Sequence, residues 1–176
     1  MEQVVLVDQN DNETGVMEKL QAHLEGRLHR AISVFIFNTK GELLLQQRAA
    51  GKYHSANLWT NTCCSHPRPG ERVHDAAERR LYEEMGLKCD LKAIFSFVYK
   101  AHLDNNITEY EFDHVFTGIT DDIPLPDPAE AASWKYMNMD TLDADIKAAP
   151  EKYTEWFKIC LDDWRKELYK TNITAH

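Results

Sequence analysis

The stretch SHPRPGERVHDAAERRLYEEMGL, residues 65–87, decides the fold of this chain. From Arg72 onward it is rich in helix-forming residues, and Gly86 suits the left-handed conformation in which many helices end. Two arginine–glutamate pairs, of which Arg80 and Glu84 are the second, are spaced four residues apart and share a helix face. On composition alone, these are surface ion pairs on an ordinary helix.

Strands and turns are predicted on both sides of this helix. A stretch with two adjacent cysteines, a histidine and two prolines, NTCCSHPRPGE (61–71), precedes it and cannot be helical. We predict strands at 4–8, 30–37, 42–48, 94–101, 108–119 and 134–139, a turn at 9–15, a hairpin over 30–48, a long loop over 49–71 and a terminal helix from Pro150. Strands before and after a central helix predict a single α/β domain over residues 1–176, with a mixed central sheet covered by helices.

Bulk composition excludes several classes of protein. The chain has 176 residues, and its formal net charge of −9 argues against nucleic-acid binding. No stretch approaches the ~20 apolar residues of a membrane span, and the N-terminus lacks the features of a signal peptide. Four cysteines that include an adjacent pair make a poor disulfide framework, so we expect a reducing, cytoplasmic setting.

The helix and its approach resemble the Nudix box. That pattern is Gly, five residues, Glu, seven residues, then Arg-Glu-apolar-x-Glu-Glu-x-Gly-apolar. The alignment runs from Ser65 through Glu71, Arg79, Arg80, Leu81, Glu83, Glu84 and Gly86 to Leu87. Ser65 replaces the leading glycine, and Arg80 replaces a glutamate of the usual metal-binding set. A face with one carboxylate fewer and one guanidinium more suits binding a diphosphate better than cleaving it.

Further candidate metal ligands lie outside the box. Glu109 and Glu111 are two apart on a predicted strand and therefore share a face, whereas His114 has the opposite parity and should point away. With His23, His29 and His66 they would form a mixed nitrogen and oxygen site suited to Mn²⁺, Mg²⁺, Zn²⁺ or Fe²⁺. The other histidines, His54, His74, His102 and His176, have no predicted partners.

Together these stretches resemble the type 1 isopentenyl-diphosphate Δ-isomerases, which use a Nudix-like fold. The matching segments are KLQAHLEGRLHRAIS, QQRAAGKYHSANLWTNTCCSHP, the modified Nudix helix, TEYEFDHVF and YTEWF, over about residues 19–157. The resemblance implies interconversion of isopentenyl and dimethylallyl diphosphate through a carbocation-like intermediate, in isoprenoid biosynthesis.

The resemblance also implies roles for individual residues. His23, His29, His66, Glu109 and Glu111 would bind one divalent ion, and Glu84 with the backbone carbonyl of Cys64 would hold a Mg²⁺ that touches the substrate diphosphate. Lys19, Arg48, Lys52 and Arg80 would grip that diphosphate. Four cations and a metal gathered at one mouth would let a protein of net charge −9 bind an anion.

The proton transfers would belong to Cys64 and Glu111. Which of the two gives and which takes the proton stays open, although we expect Glu111 to donate and Cys64 to accept with isopentenyl diphosphate. Tyr99 would assist near Glu111, and Trp156 would present its ring face to the cation. From periodicity alone, Trp156 is instead a core anchor of an amphipathic helix. Cys63 is expected to be a packing residue.

Two other functions compete with this prediction. A Nudix pyrophosphohydrolase acting on a nucleotide or related diphosphate would need the carboxylate that Arg80 replaces. A non-enzymatic metal or redox protein built on Cys63, Cys64 and His66 would normally show C-x-x-C spacing or more thiolates. We expect a small-molecule partner, no nucleic-acid or membrane partner, and a monomer or weak homodimer.

Overall fold

The computed structural model describes residues 1–173, with side chains described through residue 167. In that part of the chain nine strands form one mixed sheet, and helices cover both of its faces. The strands are β1 (Gln3–Val7), β2 (Glu13–Glu18), β3 (His29–Phe37), β4 (Leu43–Arg48), β5 (Trp59–Thr60), β6 (Cys63–Ser65), β7 (Lys92–His102), β8 (Thr108–Ile119) and β9 (Ala131–Met137). The helices are α1 (Lys19–Glu25), α2 (Val73–Met85), α3 (Met139–Ala148) and α4 (Glu155–Ile173). The predicted α/β architecture is confirmed.

The central strand is β3, which pairs in parallel with β8 from His29–Glu111 to Phe37–Ile119. Its other edge is shared by three strands in turn: β1 at His29, β6 over residues 32–34, and β4 at Phe37. The short strand β6 is therefore inserted beside the middle of β3. This insertion carries the two adjacent cysteines into the sheet.

Alternation along the sheet builds two hydrophobic cores. Val34 and Ile36 of β3 face α2, where they pack with Leu81, whereas Phe35 faces α4 and packs with Phe157. Successive side chains of a strand point to opposite faces, so the two helices are held on opposite sides of one sheet. No helix among the described residues has the length and apolar character needed to cross a bilayer.

The predicted hairpin over 30–48 is only partly correct. Its turn forms, with the Asn38 N–H donating to the Glu42 carbonyl at 3.0 Å. However, β3 and β4 pair only at Phe37–Leu43, because β4 turns away to pair with β5 and β9. The separation of the two strands leaves the edge of β3 open for β6.

Other element boundaries also differ from the prediction. The predicted loop over 49–71 contains β5 and β6, the predicted turn over 9–15 contains the start of β2, and the helix α3 was not predicted. The terminal helix begins at Glu155, since Pro150 starts a separate 3₁₀ turn and Tyr153 is extended. Tyr153 forms a bridge with Trp59 of β5, and this tertiary contact interrupts the helix.

Candidate active site

One cavity of about 410 Å³ brings the predicted site residues together. Of all the residues assigned a role from the sequence, only His29 is absent from its lining, because it is fully buried behind the wall. The others on the lining are Lys19, His23, Arg48, Lys52, Cys64, His66, Arg80, Glu84, Tyr99, Glu109, Glu111 and Trp156. The cavity therefore unites α1, α2, α4 and the sheet.

The register of the strands explains why the candidate metal ligands lie close together. Glu111 of β8 lies directly beside His29 of β3 on one side and beside Tyr99 of β7 on the other. His23 reaches the same place from the last turn of α1, which ends at Gly26 in a left-handed conformation with φ 62°. Only glycine adopts this conformation without strain, so the sharp turn from α1 into β3 depends on it.

Three imidazoles and one carboxylate form the tightest group in the cavity. Ligand atoms of His23, His29, His66 and Glu111 all lie within 4.8 Å of one another. The Nδ1–H groups of His23 and His29 donate to the carbonyl oxygens of Lys19 (2.7 Å) and Arg27 (2.8 Å). This fixes both tautomers, so that each neutral ring turns an Nε2 lone pair towards the centre of the group.

The group has the chemistry of a cation site. The Nε2 atoms of His29 and His66 are 3.2 Å apart, and two lone pairs at this distance repel unless a proton or a cation lies between them. Nδ1 of His66 is buried without a partner. Burial lowers the pKa of His66 to about 3, which keeps the ring in its neutral, metal-binding form. A divalent ion fits this donor set.

The two carboxylates of β8 are held by one phenol. The Tyr99 hydroxyl lies 2.6 Å from Oε2 of Glu111 and 2.9 Å from Oε2 of Glu109. Burial alone would raise the pKa of Glu111, but the neighbouring imidazoles of His29 and His66 hold it well below its usual value. Burial and the Glu111 charge raise the pKa of Glu109. Glu109 lies outside the group of four, and its role as a metal ligand stays a prediction.

The adjacent cysteines face opposite sides of the sheet. Cys63 is fully buried among the residues packed under α2, whereas Cys64 packs on the α4 side and lines the cavity. The Cys64 thiol donates to Oδ1 of Asn61 at 2.9 Å and lies 3.5 Å from Oγ of Ser33. Burial, followed by the nearby Asp113 carboxylate, raises the pKa of Cys64, so the resting residue is a neutral thiol.

Each of the predicted diphosphate-binding cations already has a partner. Lys19 pairs with Glu2 at 3.1 Å, and Lys52 pairs with Glu130. Arg80 pairs with Glu83 and Glu84, each at 2.7 Å, and with Glu130 at 3.4 Å. Arg48 donates to the backbone carbonyls of His54 and Ser55. Lys19, Lys52 and Arg80 therefore reach the cavity with carboxylate partners, whereas Arg48 is held by neutral carbonyl groups.

The second carboxylate oxygen of Glu84 is also occupied. It accepts a hydrogen bond from the side chain of Gln46 at 3.0 Å, and Glu84 is only 3% exposed. The role of Glu84 as a Mg²⁺ ligand, with the carbonyl of Cys64, stays a prediction. Its position on the cavity wall beside Arg80 is the one that this role requires.

Trp156 is both a core residue and a lining residue of the cavity, and its role towards the carbocation stays a prediction. It is 3% exposed and packs in the core under α4, and it also lines the cavity. The Arg48 guanidinium carbon lies 5.0 Å from the centroid of its ring, which is the geometry of a cation–π contact. The ring of His54 lies edge-on at 5.6 Å.

Sequence reasoning missed two residues of this region. His54 lines the cavity at 6% exposure, with its Nε2 atom 3.8 Å from Glu109, and nothing in its sequence context revealed this. Asp113 is buried beside Cys64 and accepts from Ser33 at 2.7 Å. Its parity in β8 matches that of Glu111, and this signal could have identified it.

The remaining described histidines lie outside this group and have other partners. His114 points away from the cavity, as predicted, and its Nε2 atom lies 2.9 Å from Asp11. His74 contacts the carbonyl of Leu91 at 3.0 Å, and His102 contacts Thr108. His176 lies outside the described residues.

Comparison with known proteins identifies both a domain family and close relatives. Residues 27–157 match the NUDIX domain. An isopentenyl-diphosphate Delta-isomerase of Pectobacterium atrosepticum is 54% identical over 157 residues, which cover 89% of this chain and 88% of the relative. Isopentenyl-diphosphate Delta-isomerase 1 of Aromatoleum aromaticum is 55% identical over 161 residues, which cover 92% and 91%.

Solved structures support the same fold at much lower identity. A Deinococcus radiodurans protein aligns with a TM-score of 0.75 and 20% identity over 90% of this chain and 96% of its own. The MutT protein of Methanosarcina mazei aligns with a TM-score of 0.66 and 17% identity over 80% and 94%. At these identities the likeness concerns the fold alone.

Proposed function

The chain belongs to the isopentenyl-diphosphate Δ-isomerases of the Nudix family, and we propose that Cys64 and Glu111 carry its two proton transfers. Its activity is the interconversion of isopentenyl and dimethylallyl diphosphate. The observation that supports the assignment of residues is that Cys64, Glu111, Tyr99 and Trp156 line one cavity together with the four cations.

The reaction makes three demands on the site. A proton is added to the terminal carbon of the alkene, and another is removed from the carbon nearer the diphosphate, so that the double bond moves by one position. Proton donors and acceptors must therefore lie on both sides of the substrate, and water must be excluded from the cationic species between the two steps. Cys64 approaches from β6 and is half-buried, and Glu111 approaches from β8 and is buried.

The other two residues would assist these transfers. The hydroxyl of Tyr99 holds the carboxylate of Glu111 in position by its 2.6 Å hydrogen bond. The ring of Trp156 would stabilise positive charge on the five-carbon chain, a contact worth up to about 2 kcal/mol or more in a desolvated site.

A divalent ion fits the histidine group. His23, His29, His66 and Glu111 would hold it, with Mn²⁺, Mg²⁺ or Zn²⁺ as candidates and Glu109 beside them. When bound, such an ion supplies positive charge that fixes the carboxylate and polarises groups around it. The Nε2 atoms of His29 and His66 face each other at 3.2 Å.

The diphosphate would lie at the mouth of the cavity formed by Lys19, Arg48, Lys52 and Arg80. Glu84 with the carbonyl of Cys64 would hold the Mg²⁺ that accompanies it. Because Lys19, Lys52 and Arg80 pair with carboxylates in the free protein, the diphosphate must replace those carboxylates as their partner. A planar guanidinium such as that of Arg80 suits two phosphate oxygens at once.

The resting protonation of Cys64 bears on the order of the two transfers. Its proton is directed at Asn61, and the nearby Ser33 hydroxyl gives its own proton to Asp113. Burial and the nearby Asp113 carboxylate favour a thiol over a thiolate at this position. The acceptor role expected for Cys64 therefore requires its proton to leave before it receives one from the substrate.

A direct assay tests the proposed function. Purified protein is incubated with isopentenyl diphosphate and Mg²⁺, and dimethylallyl diphosphate is measured over time. Formation of dimethylallyl diphosphate that disappears in both Cys64→Ala and Glu111→Gln is the expected result. Undiminished turnover in either variant would exclude that residue from the proton transfers.

A Nudix pyrophosphohydrolase activity is the alternative with an observation in its favour, since the fold is shared with a MutT protein. Against it, Arg80 occupies a position of the helix where a hydrolase needs a carboxylate, and its guanidinium already neutralises Glu83 and Glu84. Release of phosphate from nucleoside diphosphate derivatives would support the hydrolase.

We further propose that residues 1–176 form one isomerase domain, which works in the cytoplasm as a monomer or weak homodimer. The net charge of −9 supports the absence of a nucleic-acid partner. Sedimentation of the purified protein at several concentrations tests the oligomeric state.

A further inference from the structure

A buried chain of polar side chains runs from Cys64 to the segment that precedes α4. The Thr154 hydroxyl donates to the Thr60 hydroxyl at 3.0 Å, and the Thr60 hydroxyl donates to Oδ1 of Asn61 at 2.9 Å. Oδ1 of Asn61 also accepts from the Cys64 thiol at 2.9 Å. Thr60, Asn61 and Thr154 are each at most 1% exposed, so water does not compete for these bonds.

The orientation of the Asn61 amide is forced by its surroundings. Its Nδ2 group donates to the backbone carbonyls of Val34 at 3.1 Å and Cys63 at 3.0 Å. Carbonyl oxygens only accept hydrogen bonds, so the amide cannot flip without losing both. Oδ1 must therefore face Thr60 and Cys64, and it has room for one donor from each. The direction of the Cys64 S–H bond follows from this arrangement.

The far end of the chain lies where Trp156 is positioned. Thr154 is two residues before Trp156, and its backbone N–H donates to the carbonyl of Trp59 at 3.0 Å. The neighbouring Tyr153 forms the bridge with the same strand, β5. The network thus joins the segment before Trp156 to β6, the strand that carries Cys64. Both of those side chains line the cavity.

We propose that Asn61, Thr60 and Thr154 are positioning residues that fix the direction of the Cys64 thiol relative to the substrate chain and Trp156. None of the three lines the cavity, so they would act only through Cys64 and the start of α4. The inference rests on the proposed role of Cys64 in proton transfer. Small misplacements of a reacting group are costly, since about 1 Å can reduce a rate by about a hundredfold.

Thr60 offers the sharpest test, because valine and serine separate its shape from its hydroxyl. Thr60→Val keeps the shape and removes the donor to Asn61, whereas Thr60→Ser keeps the donor. We expect kcat to fall about tenfold in Thr60→Val with KM unchanged within about twofold, and kcat of Thr60→Ser to stay within about twofold of the parent. Thermal unfolding of both variants is measured alongside.

The outcomes separate this inference from the proposed function. If the parent protein forms no dimethylallyl diphosphate, the proposed function fails. If the parent is active but Thr60→Val and Thr60→Ser have equal kcat, or KM rises as much as kcat falls, the positioning role is overturned. Should Thr60→Val not fold, Thr154→Val and Thr154→Ser repeat the comparison at the far end, with an expected fall in kcat of a few fold in the valine variant alone.

Discussion

Cys63 and Cys64 are neighbours in sequence but occupy different environments. A β-strand alternates its side chains, so Cys63 enters the core under α2 and Cys64 enters the cavity. Because of that alternation only the Cys64 thiol can contact a substrate in the cavity, since a thiol without access to the cavity cannot reach it. A shift of one strand position thus separates a packing residue from the thiol for which we propose a proton transfer.

Single alanine substitutions at these two positions should therefore differ sharply. We expect Cys64→Ala to lower kcat by roughly a thousandfold or more in an assay with isopentenyl diphosphate, because the variant lacks the proposed proton-transfer group. Cys63→Ala should keep kcat within a few fold and lose about 1 kcal/mol of unfolding free energy through lost packing. The reverse pattern would mean that the two roles are exchanged.

Because the carboxyl of Asp113 is buried, we expect the free energy of unfolding to depend on pH. Burial, with the Glu111 charge, raises its pKa to about 8. An unfolded chain releases that proton near pH 4, so between about pH 4 and pH 8 the folded protein binds more protons than the unfolded one. Its contribution to stability is therefore complete below pH 4 and is lost as pH rises to 8, by roughly 1 kcal/mol per pH unit.

Asp113→Asn should remove this dependence, because the amide stays neutral at every pH. In protein freed of metal by a chelator, the melting temperature of the variant relative to the parent should rise steadily from pH 5 to pH 8. Asp121→Asn is the control: hydrogen bonds from Thr39 lower the pKa of Asp121, so its contribution is already complete above pH 5. A flat difference for Asp113→Asn would show that this carboxyl titrates normally.

Among the helices and strands, α2 and the glycine that ends it are the best predicted from the sequence. The helix ends at Gly86 with φ 66°, and the Gly86 N–H donates to the Tyr82 carbonyl at 2.9 Å. A Cβ atom added at Gly86 would lie 2.7 Å from the carbonyl oxygen of Leu125, which is backbone and cannot rotate away. The glycine thus serves both the left-handed conformation and the close packing of the following chain.

Gly86→Ala should consequently destabilise the fold more than a positive φ alone explains. We expect a loss of about 3 kcal/mol or more in denaturant unfolding, combining the left-handed strain of about 1 kcal/mol with the clash. Gly41→Ala is the matched control, with φ 77° and nothing within 4 Å of its Cβ, and should lose only about 1 kcal/mol. Equal losses would show that the chain near Leu125 gives way freely.

The elements also show how far sequence alone could lead. The helix α2, the strands β3, β7 and β8 and the shared face of Glu109 and Glu111 follow from local periodicity, which depends on residues near one another. The insertion of β6 beside β3 could not be predicted, because its three residues gain their conformation from the partner strand. For the same reason the start of α4 depends on the contact between Tyr153 and Trp59, which are distant in sequence.

At the scale of the whole molecule, the histidine group ties together distant parts of the chain. His23 comes from α1, His29 from β3, His66 from the turn after β6, and Glu111 from β8. An unfolded chain does not hold these ligands together, so a bound divalent ion stabilises the folded state alone. At a free ion concentration about a hundred times Kd, this stabilisation is about 2.7 kcal/mol.

We therefore expect Mn²⁺ or Zn²⁺, added to chelator-treated protein, to raise the melting temperature by several degrees. Removing one imidazole in His66→Ala should abolish most of that increase without substrate present. His114→Ala is the control, because His114 lies in β8 but bonds to Asp11, away from the histidine group. Equal ion-induced shifts in both variants would place the ion elsewhere, and then the 3.2 Å contact between His29 and His66 would need a shared proton.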